Sequence, residues 1–189
     1  MKRVGILGGT FDPPHIGHLI IANEVLHAKE LDEIWFMPNQ EPPHKIKTVS
    51  VLNEQRVQML KLAISGYEKF LIQTIELNRK GKSYTFDTIK VLKEEYPEID
   101  FYFIVGADMV EYLPKWHKID ELMKLVKFIS VNRPNYQLET SFDVDYVEVP
   151  DVNISSNLIR NRIESGKTIS YLVRDEVERY IKEYRLYES

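Results

Sequence analysis

The chain has 189 residues, of which 43% are hydrophobic and 29% charged, and this balance excludes a largely disordered protein. Its 25 basic and 29 acidic residues give a net charge of −4, which argues against a protein that coats nucleic acid. The sequence has no cysteine, which excludes disulfides, thiolate catalysis and cysteine zinc sites, and a cytoplasmic location is expected. No apolar run reaches the length of a membrane span, so we expect no membrane partner.

Strands and helices are predicted to alternate along the whole chain. Strands are expected at residues 2–7, 33–37, 70–77, 101–105, 128–132 and 146–149. Helices are expected at 16–29, 53–65, 85–96, around Met109, and at 120–126, 155–164 and 174–184, with loops at 39–51 and 80–84. This order predicts a single domain over residues 1–189, with a doubly wound α/β fold around a mostly parallel sheet. Because ligands bind beyond the carboxyl ends of such strands, we expect the functional residues just after strands.

Residues 8–18 read GGTFDPPHIGH and are predicted to link the first strand to the first helix; we call them the HxGH segment. Gly8 and Gly9 favour a tight turn whose N–H groups could face a phosphate. His15 and His18 are three residues apart, so they share one face of the first helical turn, and Gly17 leaves room for a ligand. The alternatives are a glycine turn with two surface histidines, or a metal pair, for which no obvious third ligand stands nearby in the sequence.

Residues 154–160 read ISSNLIR and are predicted to begin a helix. Ser155 and Ser156 are good N-cap residues, so N–H groups and the helix dipole can face an anion there. Arg160 follows Ser156 by four residues, which places its planar guanidinium on the same face as the open helix end. The alternative is a serine-capped surface helix that happens to carry one arginine.

Together, GGTFDPPHxGH and ISSxxxR resemble the nucleotidylyltransferase superfamily, whose HxGH signature takes part in adenylyl transfer. The string HIGH also occurs in class I aminoacyl-tRNA synthetases, but ISSNLIR resembles small adenylyltransferases rather than the lysine-rich loop of the synthetases. The resemblance to the bacterial nicotinate-nucleotide adenylyltransferases runs along the whole chain. It is carried by PN at 38–39, PPHK at 42–45, SYTFDT at 83–88, GAD at 106–108, LPKW at 113–116, NRP at 132–134 and LYES at 186–189. One departure is Asn157, where relatives often have threonine.

The resemblance implies that ATP and nicotinate mononucleotide react to give deamido-NAD and pyrophosphate, with His15 and His18 as the catalytic residues. The ATP-binding residues it implies are Gly8, Gly9, Thr10, Phe11, His15, His18, Gly106, Asp108, Ile154, Ser155, Ser156 and Arg160. The acceptor-binding residues it implies are His44, Lys45, Tyr84, Thr85, Trp116 and Arg133. Mg²⁺ carried by ATP is the expected cofactor, with no dedicated protein ligand, and a homodimer is possible.

These residue types suit the implied reaction. The acceptor phosphate is already mostly dianionic at pH 7, so the enzyme must align it and neutralise charge rather than supply a nucleophile. Asp108 could accept hydrogen bonds from a ribose or cap a helix, and Trp116 could stack on a pyridine ring or fill a hydrophobic gap. Tyr84 and Thr85 stand where a loop becomes a helix, so their N–H groups can meet a carboxylate.

Three other functions compete with this interpretation. Phosphopantetheine adenylyltransferases and cytidylyltransferases carry HxGH-like residues but lack the SYT and PKW strings. A regulatory module that senses adenylates without turnover would not need both His15 and His18 at the α-phosphate.

Overall fold

The fold is described from a computed structural model, which covers residues 1–40, 51–79, 84–132 and 140–188. The strands are β1 (Lys2–Gly9), β2 (Glu33–Pro38), β3 (Phe70–Ile72), β4 (Ile99–Gly106), β5 (Lys127–Asn132) and β6 (Val144–Glu148). The helices are α1 (Ile16–Ala28), α2 (Asn53–Ile64), α3 (Thr85–Glu95), α4 (Ala107–Val110), α5 (Ile119–Leu125), α6 (Ser156–Glu164) and α7 (Asp175–Glu183), with a 3₁₀ turn at Leu113–Lys115. None of the helices in the described ranges is long and apolar enough to cross a membrane.

The six strands form one parallel sheet in the order β3-β2-β1-β4-β5-β6. The chain winds from β1 out to β3, then returns to the other side of β1 and winds outward again from β4 to β6. This order confirms the doubly wound α/β fold, and every pairing in the described sheet is parallel. The direction of winding reverses between β1 and β4, so their carboxyl ends flank the crevice where such folds bind ligands.

Both faces of the sheet are buried, which is why its central strands are continuously apolar. Alternate residues point to opposite faces. Leu7 and Ile104 belong to a core that also contains buried residues of α1, α2 and α7. Ile6 and Phe103 belong to a second core, closed by α3 and α5.

The predicted turn at Gly8 and Gly9 is wrong, because β1 continues through both glycines. They pair with Met37 and Pro38 of β2, and the chain turns only at Phe11, whose φ of 52° is left-handed. A Cβ on Gly9 would lie 3.1–3.3 Å from the Phe11 ring, so this glycine makes room for the ring that follows it.

The strand predicted at residues 70–77 is also too long. Ile72 pairs with Phe36, and Gln73 donates one more hydrogen bond to Phe36 before the chain turns. The partner strand β2 ends at Pro38, so a longer β3 would have little left to pair with, and its β-forming sequence does not outweigh that loss.

Gly5 lies in the middle of β1, where the sheet leaves no room for a side chain. A Cβ there would meet Ile34 Cδ1 at 2.6 Å and Leu31 Cδ1 at 2.9 Å. We expect Gly5→Ala to lower the free energy of unfolding, measured in urea, by about 1–3 kcal/mol through overpacking. Gly8→Ala is the control on the same strand, because its Cβ would meet Phe103 at an ordinary 3.5 Å. Equal losses in the two variants would contradict the packing argument.

Candidate active site

A cavity of about 720 Å³ opens at the carboxyl edge of the sheet, beside the ends of β1 and β4. It brings together seven of the residues predicted for the site, from four separate parts of the chain. They are Gly8, Gly9, Thr10, Tyr84, Thr85, Gly106 and Trp116. The prediction that functional residues follow strands therefore agrees with the position of this cavity.

One end of the cavity is formed by the start of α3. Tyr84 is the N-cap residue, with extended backbone angles of φ −87° and ψ 130°, and Thr85 is the first helical residue. The N–H groups of the first helical turn have no carbonyl partner within their own helix, so this end can accept an anion. The Tyr84 ring also lies 4.7 Å, centroid to centroid, from the ring of His117, which lines the same cavity.

Trp116 forms another wall of the cavity and also packs against the core. Its ring meets Phe103 and Phe128 edge-on, with centroid distances of 5.9 and 6.0 Å. The indole therefore fills a gap over the aromatic core and also lines the cavity, whereas its stacking on a pyridine ring stays a prediction. Edge-on packing beneath it fixes the plane of the indole, which is what a stacking platform for a flat ligand requires.

His15 and His18 stack on each other at the start of α1. Their ring centroids are 3.6 Å apart, and the two ring planes are nearly parallel, with an angle of 25° between them. His15 is the N-cap residue and is buried, with 8% of its surface exposed. The sequence predicts that Gly17 leaves room for a ligand against the backbone. In the structure a Cβ on Gly17 would lie 3.0 Å from His15 Nδ1, so this glycine makes room for the His15 ring instead.

Both imidazoles are held neutral by their surroundings. Burial lowers the pKa of His15 to about 4. Burial and the neighbouring His15 lower the pKa of His18 well below its usual 6.5. The backbone N–H of His15 donates to His18 Nδ1 at 3.1 Å, so neutral His18 carries its proton on Nε2. His18 therefore offers a neutral N–H donor, with its orientation set by the start of α1.

The second signature meets the first directly. Ser155 is the N-cap of α6 and accepts from the N–H of Leu158. Ser156 donates its hydroxyl to the carbonyl of Pro13 at 2.8 Å, and Arg160 donates to the carbonyl of Asp12 at 2.7 Å. Only Ser155 acts as a cap, whereas Ser156 and Arg160 attach α6 to the HxGH segment. Asn157 accepts a longer bond from Arg160 at 3.4 Å, so its departure from the family pattern leaves the arginine in place.

Asp108 lies in the first turn of α4, after the carboxyl end of β4. The N-cap residue there is Gly106, so the alternative that Asp108 caps the helix is wrong. A Cβ on Gly106 would lie 2.7 Å from Asp108 Oδ1, so the glycine lets the carboxylate fold back toward the strand end. Asp108 is exposed and open to a ligand hydroxyl.

Not every predicted residue reaches the cavity. Within the described ranges, the predicted residues that do not line it are Phe11, His15, His18, Asp108, Ile154, Ser155, Ser156 and Arg160. Ile154 packs against the core beside α1, and the Phe11 ring meets His18 edge-on at 4.9 Å. The remaining predicted residues, His44, Lys45 and Arg133, lie outside the described residues. Within the same ranges, no group of three or more His, Asp or Glu side chains is arranged to hold a metal ion.

Sequence reasoning missed three residues that hold the HxGH segment in place, two outside the segment and one within it, and one further residue in the cavity. Arg56 is fully buried and donates to the carbonyls of Thr10 and Asn39 at 2.6 and 2.8 Å. The sequence indicates this burial only by spacing, because Arg56 precedes Leu60 by four residues and so shares the apolar face of α2.

The other two supporting residues are Asp12 and Tyr187. Asp12 is 2% exposed, and its Oδ1 accepts a hydrogen bond from the hydroxyl of Tyr187 at 2.6 Å.

The missed residue of the cavity is Glu76, which is buried. Burial raises the pKa of its carboxyl, which accepts a hydrogen bond from Thr88 at 3.0 Å.

The stacked HxGH histidines, joined to a serine–arginine helix after the first strand of a parallel sheet, agree with the nucleotidyltransferase class that the sequence resembles. The family described as Cytidylyltransferase-like matches residues 6–162. Over 189 residues, the chain is 58% identical to a Bacillus licheniformis protein named "Probable nicotinate-nucleotide adenylyltransferase". It is 52% identical to the "Nicotinate-nucleotide adenylyltransferase" of Bacillus subtilis, and both alignments cover 100% of each chain.

A solved structure of similar fold is the nicotinic acid mononucleotide adenylyltransferase of Plasmodium falciparum complexed with NaAD. It matches with a TM-score of 0.83 at 22% identity, covering 99% of this chain and 98% of that one. The same protein complexed with APC matches with a TM-score of 0.80. The chain belongs to the cytidylyltransferase-like family and, within it, to the nicotinate-nucleotide adenylyltransferases, which confirms the resemblance noted in the sequence.

The lowered pKa of His15 makes stability depend on pH. The unfolded chain binds a proton at His15 near pH 6.5 and the folded chain only near pH 4, so the free energy of unfolding falls as pH drops through this window. We expect His15 to contribute a fall of about 2 kcal/mol between pH 7 and pH 5. Urea unfolding of wild type and His15→Gln at both pH values isolates this contribution. An identical pH dependence in the two proteins would contradict it.

Proposed function

We propose that this chain transfers the adenylyl group of ATP to the phosphate of nicotinate mononucleotide, giving deamido-NAD and pyrophosphate. The observation that carries the proposal is the direct attachment of the two signatures, through Ser156 to Pro13 and Arg160 to Asp12, beside a cavity suited to a pyridine carboxylate. The curated relatives of the same length carry the name of this activity.

In this reaction, a phosphate oxygen of the acceptor attacks the α-phosphorus of ATP, and the bond from that phosphorus to the β-phosphate oxygen breaks. The electron pair of the broken bond leaves with pyrophosphate, so no covalent enzyme intermediate is needed. Catalysis then consists of aligning two anions and stabilising the charge that moves onto the leaving oxygen. His18 supplies a neutral Nε2–H donor for that charge, and His15 holds its ring in place by stacking at 3.6 Å.

ATP enters this site as its Mg²⁺ complex in our proposal. The ion would neutralise charge on the triphosphate, and no protein ligand among the described residues is assigned to it. Arg160 still has N–H groups beyond the one that binds the Asp12 carbonyl, and its side chain is 23% exposed, so it can also meet the phosphates. Asp108, which is exposed, would accept a ribose hydroxyl.

The acceptor's carboxylate is assigned to the start of α3 and its ring to Trp116. The N–H of Thr85 donates to an anion there, and the plane of the indole, fixed by Phe103 and Phe128, orients the pyridine. A carboxamide lacks the negative charge that this helix end favours, and its NH₂ group would face N–H donors. The chain should therefore discriminate against nicotinamide mononucleotide.

Four statements about the setting of this activity stay predictions: a single domain, a cytoplasmic location, a possible homodimer, and the absence of nucleic-acid and membrane partners. They rest on composition, charge and the family resemblance.

His18→Ala is expected to lower kcat by about 10²–10³-fold, the usual loss when one donor to a developing charge is removed. The KM for ATP should change much less, since the contact matters most in the transition state. A coupled pyrophosphate-release assay measures both quantities. His27→Ala is a matched control, because His27 lies exposed on the same helix. His18→Ala with more than half of wild-type kcat would remove His18 from the mechanism.

An acceptor panel tests the proposed function itself. With ATP fixed, kcat/KM for nicotinate mononucleotide should exceed that for nicotinamide mononucleotide by more than about tenfold, the factor that 1.4 kcal/mol supplies. Phosphopantetheine should give no product. Trp116→Ala should raise the KM of the acceptor and spare that of ATP. Equal use of both mononucleotides would refute the assignment of the carboxylate, and turnover of phosphopantetheine alone would refute the function.

Thr85→Pro sharpens this test by deleting one backbone donor. Proline is well tolerated at the first helical position, and Tyr84 already has the extended angles that a residue before proline requires. In this variant, the ratio of kcat/KM for nicotinate mononucleotide to kcat/KM for nicotinamide mononucleotide should fall. Thr85→Ala is the control, since it keeps the N–H. An equal fall of this ratio in both variants would show that the side chain of Thr85, not its N–H group, sets the preference between the two acceptors.

A further inference from the structure

The backbone between β1 and His15 is held by side chains from distant parts of the chain. Arg56 of α2 binds the carbonyl of Thr10 at 2.6 Å. Arg160 and Ser156 of α6 bind the carbonyls of Asp12 and Pro13 at 2.7 and 2.8 Å. Each of these bonds restrains a main-chain group of the segment that leads into the catalytic histidines.

The same segment contains a buried carboxylate. Asp12 is 2% exposed, and Arg160 lies 4.0 Å from its Oδ2. Its other oxygen, Oδ1, accepts the hydroxyl of Tyr187 at 2.6 Å. A hydrogen bond to a charged group is stronger than a neutral one, and a buried carboxylate that loses one is left with a large desolvation cost.

Tyr187 comes from the opposite end of the chain, in the tail after α7. The tail is folded back onto the protein, because Leu186 is buried and its N–H donates to the carbonyl of Ile181 at 3.0 Å. The Tyr187 hydroxyl also lies 3.9 Å from Met59 Sδ of α2. Burial, followed by the charge of Asp12, raises the pKa of the Tyr187 phenol, so the hydroxyl keeps its proton and donates throughout the working pH range.

We infer that Tyr187 is a positioning residue for adenylyl transfer: its hydrogen bond to Asp12 fixes the backbone that carries His15 and His18. The backbone conformation of the preceding residue explains why the position of Asp12 matters. Phe11, just before Asp12, has a left-handed φ of 52° and packs its ring edge-on against His18 at 4.9 Å. Such a conformation persists in a non-glycine residue only when its surroundings hold it. Releasing Asp12 therefore shifts Phe11 and, with it, the His18 ring.

The first test is Tyr187→Phe, which removes one oxygen and keeps the ring. This inference rests on the proposed function, so wild type is assayed beside it for deamido-NAD formation at saturating ATP and nicotinate mononucleotide. We expect kcat to fall by about 10–100-fold, the range for a small misplacement of catalytic groups. The KM for nicotinate mononucleotide should stay within about twofold, because the ring and carboxylate of the acceptor are assigned to Trp116 and to the start of α3.

Tyr184→Phe is the matched control. Tyr184 lies three residues earlier in the same tail and is 54% exposed, so loss of its hydroxyl should leave kcat unchanged. All assays are run well below the melting temperature of each variant. A kcat within twofold of wild type for folded Tyr187→Phe would overturn the inference. A loss of kcat that disappears after correction for the unfolded fraction would overturn it as well.

A second measurement does not depend on activity. The imidazole Cε1–H resonances of His15 and His18 should shift in the ¹H–¹³C spectrum of Tyr187→Phe and stay in place in that of Tyr184→Phe. Unchanged resonances in Tyr187→Phe would overturn the inference even if wild type proved inactive as an adenylyltransferase. Wild type inactive on the acceptor panel, with shifted resonances in Tyr187→Phe, would refute the proposed function and leave the positioning role supported.

If Tyr187→Phe does not fold, two variants at Asp12 decide the matter. Asp12→Asn keeps a carbonyl oxygen that can accept from the Tyr187 hydroxyl, whereas Asp12→Ala does not. We expect Asp12→Asn to retain at least about fivefold more kcat than Asp12→Ala, that is, rescue by the conservative substitution. Equal kcat in the two variants would show that the hydrogen bond does not position the segment.

Discussion

The site exists because β1 and β4 are neighbours at the point where the winding of the sheet reverses. The connection that leaves β1 and the one that arrives at β4 lie on opposite faces of the sheet, as the two separate cores show. Neither connection closes the crevice between the two carboxyl ends. The cavity of about 720 Å³ lies there, with β1 contributing Gly8 and Gly9 and β4 contributing Gly106. The strand order of the parallel sheet therefore fixes where the cavity lies.

A second constraint follows from the first. The segment after β1 must leave the sheet without forming regular structure, so its carbonyl groups need partners from elsewhere. Those partners are Arg56, Ser156 and Arg160, which come from two helices far apart in sequence. The two sequence signatures are consequently one physical unit. Arg160 holds the backbone that leads to the histidines, and in the proposed reaction the same guanidinium would also meet the phosphates.

The sequence was enough to predict what depends on local pattern. The alternation of elements, the position of His15 and His18 on one helical turn, and the start of α3 at Thr85 are all set within a few residues, and the structure has them so. What failed depends on distant neighbours. Gly8 and Gly9 extend a strand because β2 lies alongside them, and β3 stops early because β2 stops at Pro38.

Arg56 is the clearest case of this limit. Its position on the apolar face of α2 is visible in the sequence. A buried guanidinium is favourable, however, only where carbonyl groups that lack other partners accept its hydrogen bonds. Those carbonyls belong to Thr10 and Asn39, and only the folded chain shows that they converge on one point. The same holds for Asp12 and Tyr187, which are separated by 175 positions in the chain.

The neutral state of the histidines is a consequence of the packing that places them. Burial lowers the pKa of both imidazoles, and the charge of His15, stacked 3.6 Å away, further lowers the pKa of His18. A neutral donor binds the ground state of ATP only slightly better than water does, yet it gains strength as charge moves onto the leaving oxygen. An imidazolium would hold both ATP and pyrophosphate more tightly and slow the release of product. In the proposed reaction the stacked pair would therefore direct its stabilisation toward the transition state, and the buried contacts that orient it also keep it uncharged.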